Sequence, residues 1–110
     1  MGTDYLGEFE HLVLLAVLRL ADQAYGVPIR RTIEEQAQRA VSFGAVYSTL
    51  RRLEAKGFVA AVTAPPDASS GRPKRIFQLT EPGLETLNAA RRRLQKMADG
   101  LDQVAVIDRG

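Results

Sequence analysis

The feature that most constrains this chain is its first long apolar segment, which runs from Leu6 to about Leu20. Its first half has apolar residues at a helical spacing, beginning with Leu6 and Phe9, and this spacing predicts an amphipathic helix. Its second half, LVLLAVL from Leu12 to Leu18, is apolar on every side. A helix of that kind needs cover on more than one side, so it lies either at the centre of a domain or against a second chain.

Composition limits the classes of protein to which this segment can belong. With 110 residues, of which 45% are hydrophobic and 25% are charged, the chain can form one core but is too short for two. It contains no cysteine, which excludes disulfides, thiolate metal sites and a cysteine nucleophile. The longest apolar run falls far short of the roughly 20 residues that cross a membrane, and the acidic start MGTDYLGEFE is unlike a secretory signal. We therefore expect a cytoplasmic protein with no membrane partner.

A second helix is predicted after the turn ADQAYG, in which Gly26 acts as the breaker. Pro28 is placed in its first turn, where the missing amide hydrogen costs nothing. The predicted buried stripe consists of Ile29, Ile33, Ala37 and Ala40.

A third helix is predicted between Ser42, which can cap its N-terminus, and Gly57, which ends it. Its apolar stripe is Val46, Leu50 and Leu53, at the spacing i, i+4, i+7. The opposite face is small and cationic, and carries Gly44, Ser48, Arg51 and Ala55, with Arg52 beside them.

The second half of the chain predicts a hairpin and one more helix. FVAAVT and RIFQL alternate as antiparallel strands do, and the connection between them is APPDASSGRPK. Thr80 can cap a long last helix, which has Pro82 in its first turn. Apolar residues then repeat over three heptads, a seam suited to another helix. The seam consists of Leu87, Ala90, Leu94, Met97, Leu101 and Val104.

The net charge of +2 hides an uneven distribution. Residues 1–43 hold four Arg against six acids, residues 44–75 hold six Lys or Arg against two acids, and residues 76–110 balance five against five. Localised positive charge is the electrostatic footprint of a polyanion partner.

The second and third helices form a helix-turn-helix, and the third can enter a DNA major groove because its exposed residues are small.

A hairpin directly after such a helix is the wing of a winged helix. Its tip contains GRPK, in which Arg72 could enter a narrow A·T-rich minor groove. Each of these two predicted DNA contacts has an alternative. The hairpin tip could instead be a basic loop without fixed structure, and Arg51, Arg52 and Lys56 could form an ordinary solvated helix face. The predicted DNA-binding residues are Ser42, Gly44, Ala45, Tyr47, Ser48, Arg51, Arg52, Arg72, Lys74 and Arg75.

The sequence gives little support to an enzyme. His11 is the only histidine and lies on an apolar helix, and the adjacent Glu34 and Glu35 point about 100° apart, so they cannot easily share a metal or a proton. No phosphate-binding glycine loop or serine nucleophile motif is present. Arg91 to Arg93 fit a solvated face better than a DNA contact. We expect no metal and no cofactor.

Three segments resemble the PadR family of bacterial transcriptional regulators: YGVPIRRTIEE, VSFGAVYSTLRRLEAKGFV and GRPKRIFQLTEPGLETL. The last two, in this order and spacing, are more specific than a helix-turn-helix alone. Tyr47 matches the recognition-helix tyrosine of the family, and Arg72, Lys74 and Arg75 fall on its basic wing. The chain departs from the family at Phe43, where many members have proline, and in having no Trp, with which some short members hold flat aromatic drugs.

The resemblance implies a mainly α (α+β) fold: a winged helix-turn-helix with a long C-terminal helix for dimerisation. Residues 1–80 would form the DNA-binding domain and residues 81–110 the dimerisation helix and tail. The expected protein is a homodimeric repressor that binds a palindromic double-stranded DNA operator, with a small-molecule effector left open. The predicted dimerisation residues are Leu6, Phe9, Leu87, Leu94, Met97, Leu101 and Val104. The alternative is a winged-helix module that binds protein instead of specific DNA.

Overall fold

The computed structural model describes residues 5–65 and 73–101. Within them, four α-helices and one antiparallel hairpin follow each other in the predicted order, and a short 3₁₀ turn at Ala21–Gln23 joins the first two helices. The elements are α1 (Glu8–Leu20), α2 (Gly26–Ala37), α3 (Phe43–Ala55), β1 (Val59–Ala64), β2 (Lys74–Leu79) and α4 (Glu81–Ala98). This arrangement confirms the mainly α, winged helix-turn-helix fold.

Helix α1 lies at the centre of the domain and packs against α2, α3, β2 and α4. Four of its apolar residues, Val13, Leu14, Ala16 and Val17, are buried. This explains why its second half is apolar on nearly every side. Leu18 nevertheless remains 46% exposed, so the described helices and strands do not cover α1 completely.

Helix α2 is shorter than its sequence pattern suggested. Ile29 and Ile33 are buried as predicted, but Ala37 and Ala40 are exposed, which corrects the second half of the predicted stripe. The helix ends at Ala37 because Gln38 adopts a left-handed conformation with φ 52°. Because Ala40 lies beyond the end of the helix, the helical spacing of the sequence does not predict whether it is buried.

Helix α3 is fixed at both ends by hydrogen bonds that the sequence indicated. The Ser42 hydroxyl accepts a hydrogen bond from the Ala45 amide at 3.1 Å. At the other end Gly57 has φ 81°, and the amides of Gly57 and Phe58 donate to the carbonyl oxygens of Glu54 and Leu53. This pair of bonds is the Schellman motif. The predicted stripe of Val46, Leu50 and Leu53 is buried at 0–1% exposure.

The hairpin pairs Val59 with Leu79 at its base and Ala64 with Lys74 at its last described pair. Phe77 is buried, and its amide donates a hydrogen bond to the Ala24 carbonyl oxygen at 2.8 Å. This bond attaches β2 to the segment between α1 and α2. The connection at the hairpin's tip, which includes Arg72, lies outside the described residues.

Helix α4 begins as predicted, with the Thr80 hydroxyl accepting a hydrogen bond from the Gly83 amide. A Cβ atom at Gly83 would overlap the backbone of Phe58, so only glycine permits this close approach. The helix ends at Ala98, which corrects the prediction that it continues through three heptads. Gly100 has φ 82°, a backbone conformation that breaks the helix.

The heptad seam is correspondingly divided. Leu87 and Ala90 are buried at 0% and 6% exposure in the core of the single chain. Leu101 lies beyond the end of α4, and Val104 lies outside the described residues. Of the predicted seam, Leu94 and Met97 are the residues that α4 leaves exposed.

Candidate nucleic-acid interface

One exposed face of α3 carries small residues followed by a long cation, and the rings of Phe43 and Tyr47 are exposed beside it. Gly44 and Arg51 are exposed, whereas Ala45 and Ser48 are half-buried. The Ser48 hydroxyl donates a hydrogen bond to the Ala45 carbonyl oxygen at 3.2 Å, which keeps it close to the helix. Because Gly44, Ala45 and Ser48 project so little, this face of α3 can approach the floor of a groove about 12 Å wide.

The two adjacent arginines of α3 have different surroundings. Within the described part of the chain, Arg51 has no hydrogen-bond or ion-pair partner. Arg52 donates a hydrogen bond to the buried Thr49 hydroxyl at 3.1 Å, and its Nε lies 4.0 Å from a carboxylate oxygen of Glu10. Arg51 is therefore presented to solvent, while Arg52 is turned back towards α1.

Glu10 joins α1 to the C-terminal half of α3. Its side chain is only 11% exposed, and its carboxylate oxygens lie 3.0 Å from Lys56 Nζ and 3.1 Å from the Gly7 amide nitrogen. Burial on its own would raise the pKa of Glu10, but the Gly7 amide, Lys56 and Arg52 outweigh it and hold the pKa below its ordinary value. The ionised carboxylate therefore fixes the position of α3 relative to the central helix.

Tyr47 lies on the flank of α3 against the start of α2. Its side chain is 43% exposed, and a Cβ atom at Gly26 would overlap its ring. Gly26 is the first residue of α2 and not merely a breaker in the preceding turn. Its role in seating Tyr47 was missed, because nothing in the sequence relates two residues that lie in different helices.

The turn between α2 and α3 is held by Arg30. The Arg30 Nε donates to the Val41 carbonyl oxygen at 2.8 Å, and its guanidinium lies 3.6 Å from Glu34 and 4.5 Å from the centroid of the Phe43 ring. Glu34 also accepts a hydrogen bond from the Val41 amide at 3.4 Å. The spacing of four between Arg30 and Glu34 is the sequence signal for this ion pair.

The cations of the wing do not all point away from the domain. Arg75 donates two hydrogen bonds to the carboxylate of Glu54 on α3, at 3.0 and 3.3 Å, and lies over the Phe77 ring. Lys74 lies 4.6 Å from the centroid of the Tyr25 ring, beside the start of α2. Arg72 lies outside the described residues. Arg75 thus contacts Glu54 and Phe77 within the domain, and its predicted DNA contact stays a prediction.

A second surface lies between α1 and α4. Leu94, which is 63% exposed, lines a groove with five residues of the first segment, and Met97 on the same helix is 79% exposed. The residues from the first segment are Leu6, Glu8, His11, Leu12 and Leu15. Burial, together with the positive charge of Arg91, lowers the pKa of His11 in this groove.

Two predicted dimerisation residues do not lie on this α1–α4 groove. Phe9 faces the other way, with the Arg39 guanidinium 5.2 Å from its ring centroid, and lines a depression beside Ser42. Leu87 is in the core. The structure brings Leu6 and Leu94 together, and separates Phe9 from them.

The described residues hold no group of three or more His, Cys, Asp or Glu side chains that could bind a metal ion. In the same part of the chain, every helix is too short or too polar to cross a membrane.

The helix-turn-helix and the hairpin that follows it define a winged-helix fold. The sequence profile of the Transcriptional regulator PadR-like family matches residues 14–89. The chain therefore belongs to the PadR-like family of transcriptional regulators.

Solved structures share the fold at low sequence identity. A PadR family transcription regulator from Clostridium difficile is 22% identical with a TM-score of 0.69, and the match covers 88% of this chain and 97% of that one. A PadR family regulator from Eggerthella lenta is 24% identical with a TM-score of 0.65, covering 86% and 82%. A PadR-like regulator from Bacillus cereus is 20% identical with a TM-score of 0.66, covering 88% and 93%. No curated protein matches the sequence.

Proposed function

We propose that this regulator is a homodimeric repressor that binds a palindromic operator with one α3 helix in each half-site. The observation that carries the proposal is the exposed face of α3, on which small residues lead to Arg51, an exposed cation with no partner in the described part of the chain. An arginine in this position can donate two hydrogen bonds to a guanine edge. The caps at both ends of α3 support a rigid presentation of this face.

The wing supplies the second part of the proposed DNA contact. Arg72 and Lys74 would bind phosphates or the adjacent minor groove, which positions α3 without reading sequence. Arg75 has a different proposed role, because its two hydrogen bonds to Glu54 attach β2 to α3. It would hold the wing at a fixed angle to the recognition helix.

The proposed dimer forms through the α1–α4 groove, with Leu94 and Met97 of one chain packing on the groove of the other. An apolar groove of this kind supports association because burying exposed leucine and methionine removes apolar surface from water. Two-fold symmetry would then require half-sites about 10 base pairs apart, or a multiple of that spacing. Residues 1–80 would bind DNA, and residues 81–110 would supply the dimer contact and the tail. A small-molecule effector is compatible with this arrangement, and the expected place of action is the cytoplasm.

The test uses a duplex that the protein selects from random DNA, and a scrambled duplex of the same composition. Fluorescence anisotropy should show that Arg51→Ala reduces the ratio of the two affinities by about 5–150-fold, the discrimination carried by one bidentate base contact. Arg72→Ala should weaken binding to both duplexes and lower the slope of log K against log salt by about 1 for each phosphate that the variant no longer neutralises.

The matched control is Arg19→Ala, which removes an exposed arginine at the far end of α1. It should leave both affinities and the salt slope close to wild type. Unchanged binding in the Arg51 and Arg72 variants would defeat the assignment. No selected sequence at all, together with retention of a protein partner, would favour a winged-helix module that binds protein.

A further inference from the structure

Phe43 is a large apolar side chain at the end of α3 that the proposed function directs into the major groove. It is the first residue of the helix and is 39% exposed. Its neighbours in sequence, Ser42 and Gly44, are small and exposed, so they do not screen the ring from an approaching partner. The residues near the N-terminus of a recognition helix are the ones that meet base edges.

The Phe43 ring is held in place by the protein. The Arg30 guanidinium lies 4.5 Å from the ring centroid. Arg30 is itself fixed by its hydrogen bond to the Val41 carbonyl oxygen at 2.8 Å. The Tyr47 ring stacks beside it, with the centroids 6.5 Å apart and the planes 26° apart. A ring that is ordered before binding loses little conformational entropy when it makes a contact.

An exposed apolar ring in the major groove can make an apolar contact with one group on the base edges, the C5 methyl group of thymine. Each base pair presents hydrogen-bond donors and acceptors there, and thymine adds its C5 methyl group. Phe43 has no polar atom with which to satisfy the donors or acceptors. An aromatic ring over any other base edge would remove water from polar atoms without replacing their hydrogen bonds.

We propose that Phe43 is a specificity-determining residue that recognises a thymine in each half-site by packing on its C5 methyl group. The proposal rests on the proposed function, because it needs α3 in the major groove. It adds an apolar base contact to the polar contact expected of Arg51, and both lie on the same helix.

The experiment uses the selected duplex and replaces each thymine of one half-site in turn by deoxyuridine, which removes only the methyl group. For the wild-type protein, we expect one such substitution to weaken binding by about fourfold, the change expected when one methyl group leaves an apolar contact. For Phe43→Ala, the same substitution should change the affinity by less than about 1.5-fold. Because each protein is compared with itself on two duplexes, a general loss of affinity in the variant cancels.

The matched control is Leu84→Ala, which removes an equally exposed apolar side chain, 40% against 39%, from the start of α4. It should keep the full fourfold response to deoxyuridine. Thermal unfolding of the three proteins checks that Phe43→Ala remains folded. A second variant, Phe43→Leu, retains an apolar side chain and should retain part of the response.

The outcomes separate this inference from the proposed function. Specific binding without any thymine that responds to loss of its methyl group would overturn the role of Phe43 and leave the repressor proposal intact. An equal response to deoxyuridine in wild type and Phe43→Ala would overturn it as well, because some other residue would then contact the methyl group. Failure of the wild type to select any sequence would instead defeat the proposed function.

Discussion

Helices α3 and α4 both carry apolar stripes at helical spacing, but among the described residues only the stripe of α3 is fully buried. Val46, Leu50 and Leu53 are 0–1% exposed, whereas Leu94 and Met97 are 63% and 79% exposed. The two stripes look alike in sequence. The comparison teaches that periodicity predicts an apolar face, while the rest of the chain decides whether that face is already covered.

The difference follows from the neighbours of the two helices. Helix α3 packs against α1, α2 and β1, and its polar face is exposed. Helix α4 contacts α1 and β2, and the buried part of its stripe is Leu87 and Ala90, in its first half. One helix therefore offers an exposed cation and small residues, and the other an exposed apolar strip.

A leucine-to-alanine substitution should change the free energy of unfolding far more in the stripe of α3 than in the exposed part of the stripe of α4. Leu50→Ala should lower the free energy of unfolding by about 2–5 kcal/mol, because it leaves a cavity in the core. Leu94→Ala should change it by about 0.5 kcal/mol or less when the protein is dilute enough to be monomeric. Urea denaturation followed by circular dichroism measures both changes.

Protein concentration then separates the two sites. At concentrations that favour a dimer, the destabilisation caused by Leu94→Ala should grow, because a dimer contact stabilises the folded chain by mass action. The destabilisation caused by Leu50→Ala should stay constant. If neither value depended on concentration, the assignment of the exposed stripe to a second chain would be wrong.

A smaller effect on stability is expected from the ion pairs that Glu10 of α1 makes with Lys56 and Arg52 at the C-terminal end of α3. Since the pKa of Glu10 is lower in the folded chain, its contribution to stability is complete above the unfolded-state pKa, about 4.3 for glutamate, and is lost as the pH falls through the folded-state pKa. Wild-type stability should therefore fall more steeply below about pH 5 than that of Glu10→Gln. Thermal unfolding at a series of pH values tests this.

The matched control for Glu10 is Glu85→Gln, which changes an exposed carboxylate on α4. It should reproduce the wild-type pH profile. Identical profiles for wild type and Glu10→Gln would show that the bonds to Lys56 and the Gly7 amide do not stabilise the fold.

Local signals predicted much of the fold. Ser42 and Thr80 cap helices and Gly57 ends one, because each of these positions depends on hydrogen bonds or backbone angles within a few residues. The order of helices and strands followed from periodicity in the same way. The end of α2 before Ala40 and the end of α4 at Ala98 were missed, since an apolar pattern can continue past the point where the helix stops.

The candidate site was less accessible to sequence reasoning. Small residues and Arg51 on one face of α3 could be read from the spacing of the helix. The attachment of Arg75 to Glu54 could not, because it joins residues of different elements that come together only when β2 packs beside α3. The seating of Tyr47 against Gly26 depends on tertiary packing in the same way.

Sedimentation equilibrium at micromolar concentration tests the central claim, that a second chain covers the exposed stripe of α4, most directly. The wild type should have twice the mass of one chain. Leu94→Glu combined with Met97→Glu should sediment as a folded monomer, because like charges placed in an apolar contact weaken it by several kcal/mol, about 100-fold or more. A wild-type protein that is folded and monomeric at this concentration would contradict the account.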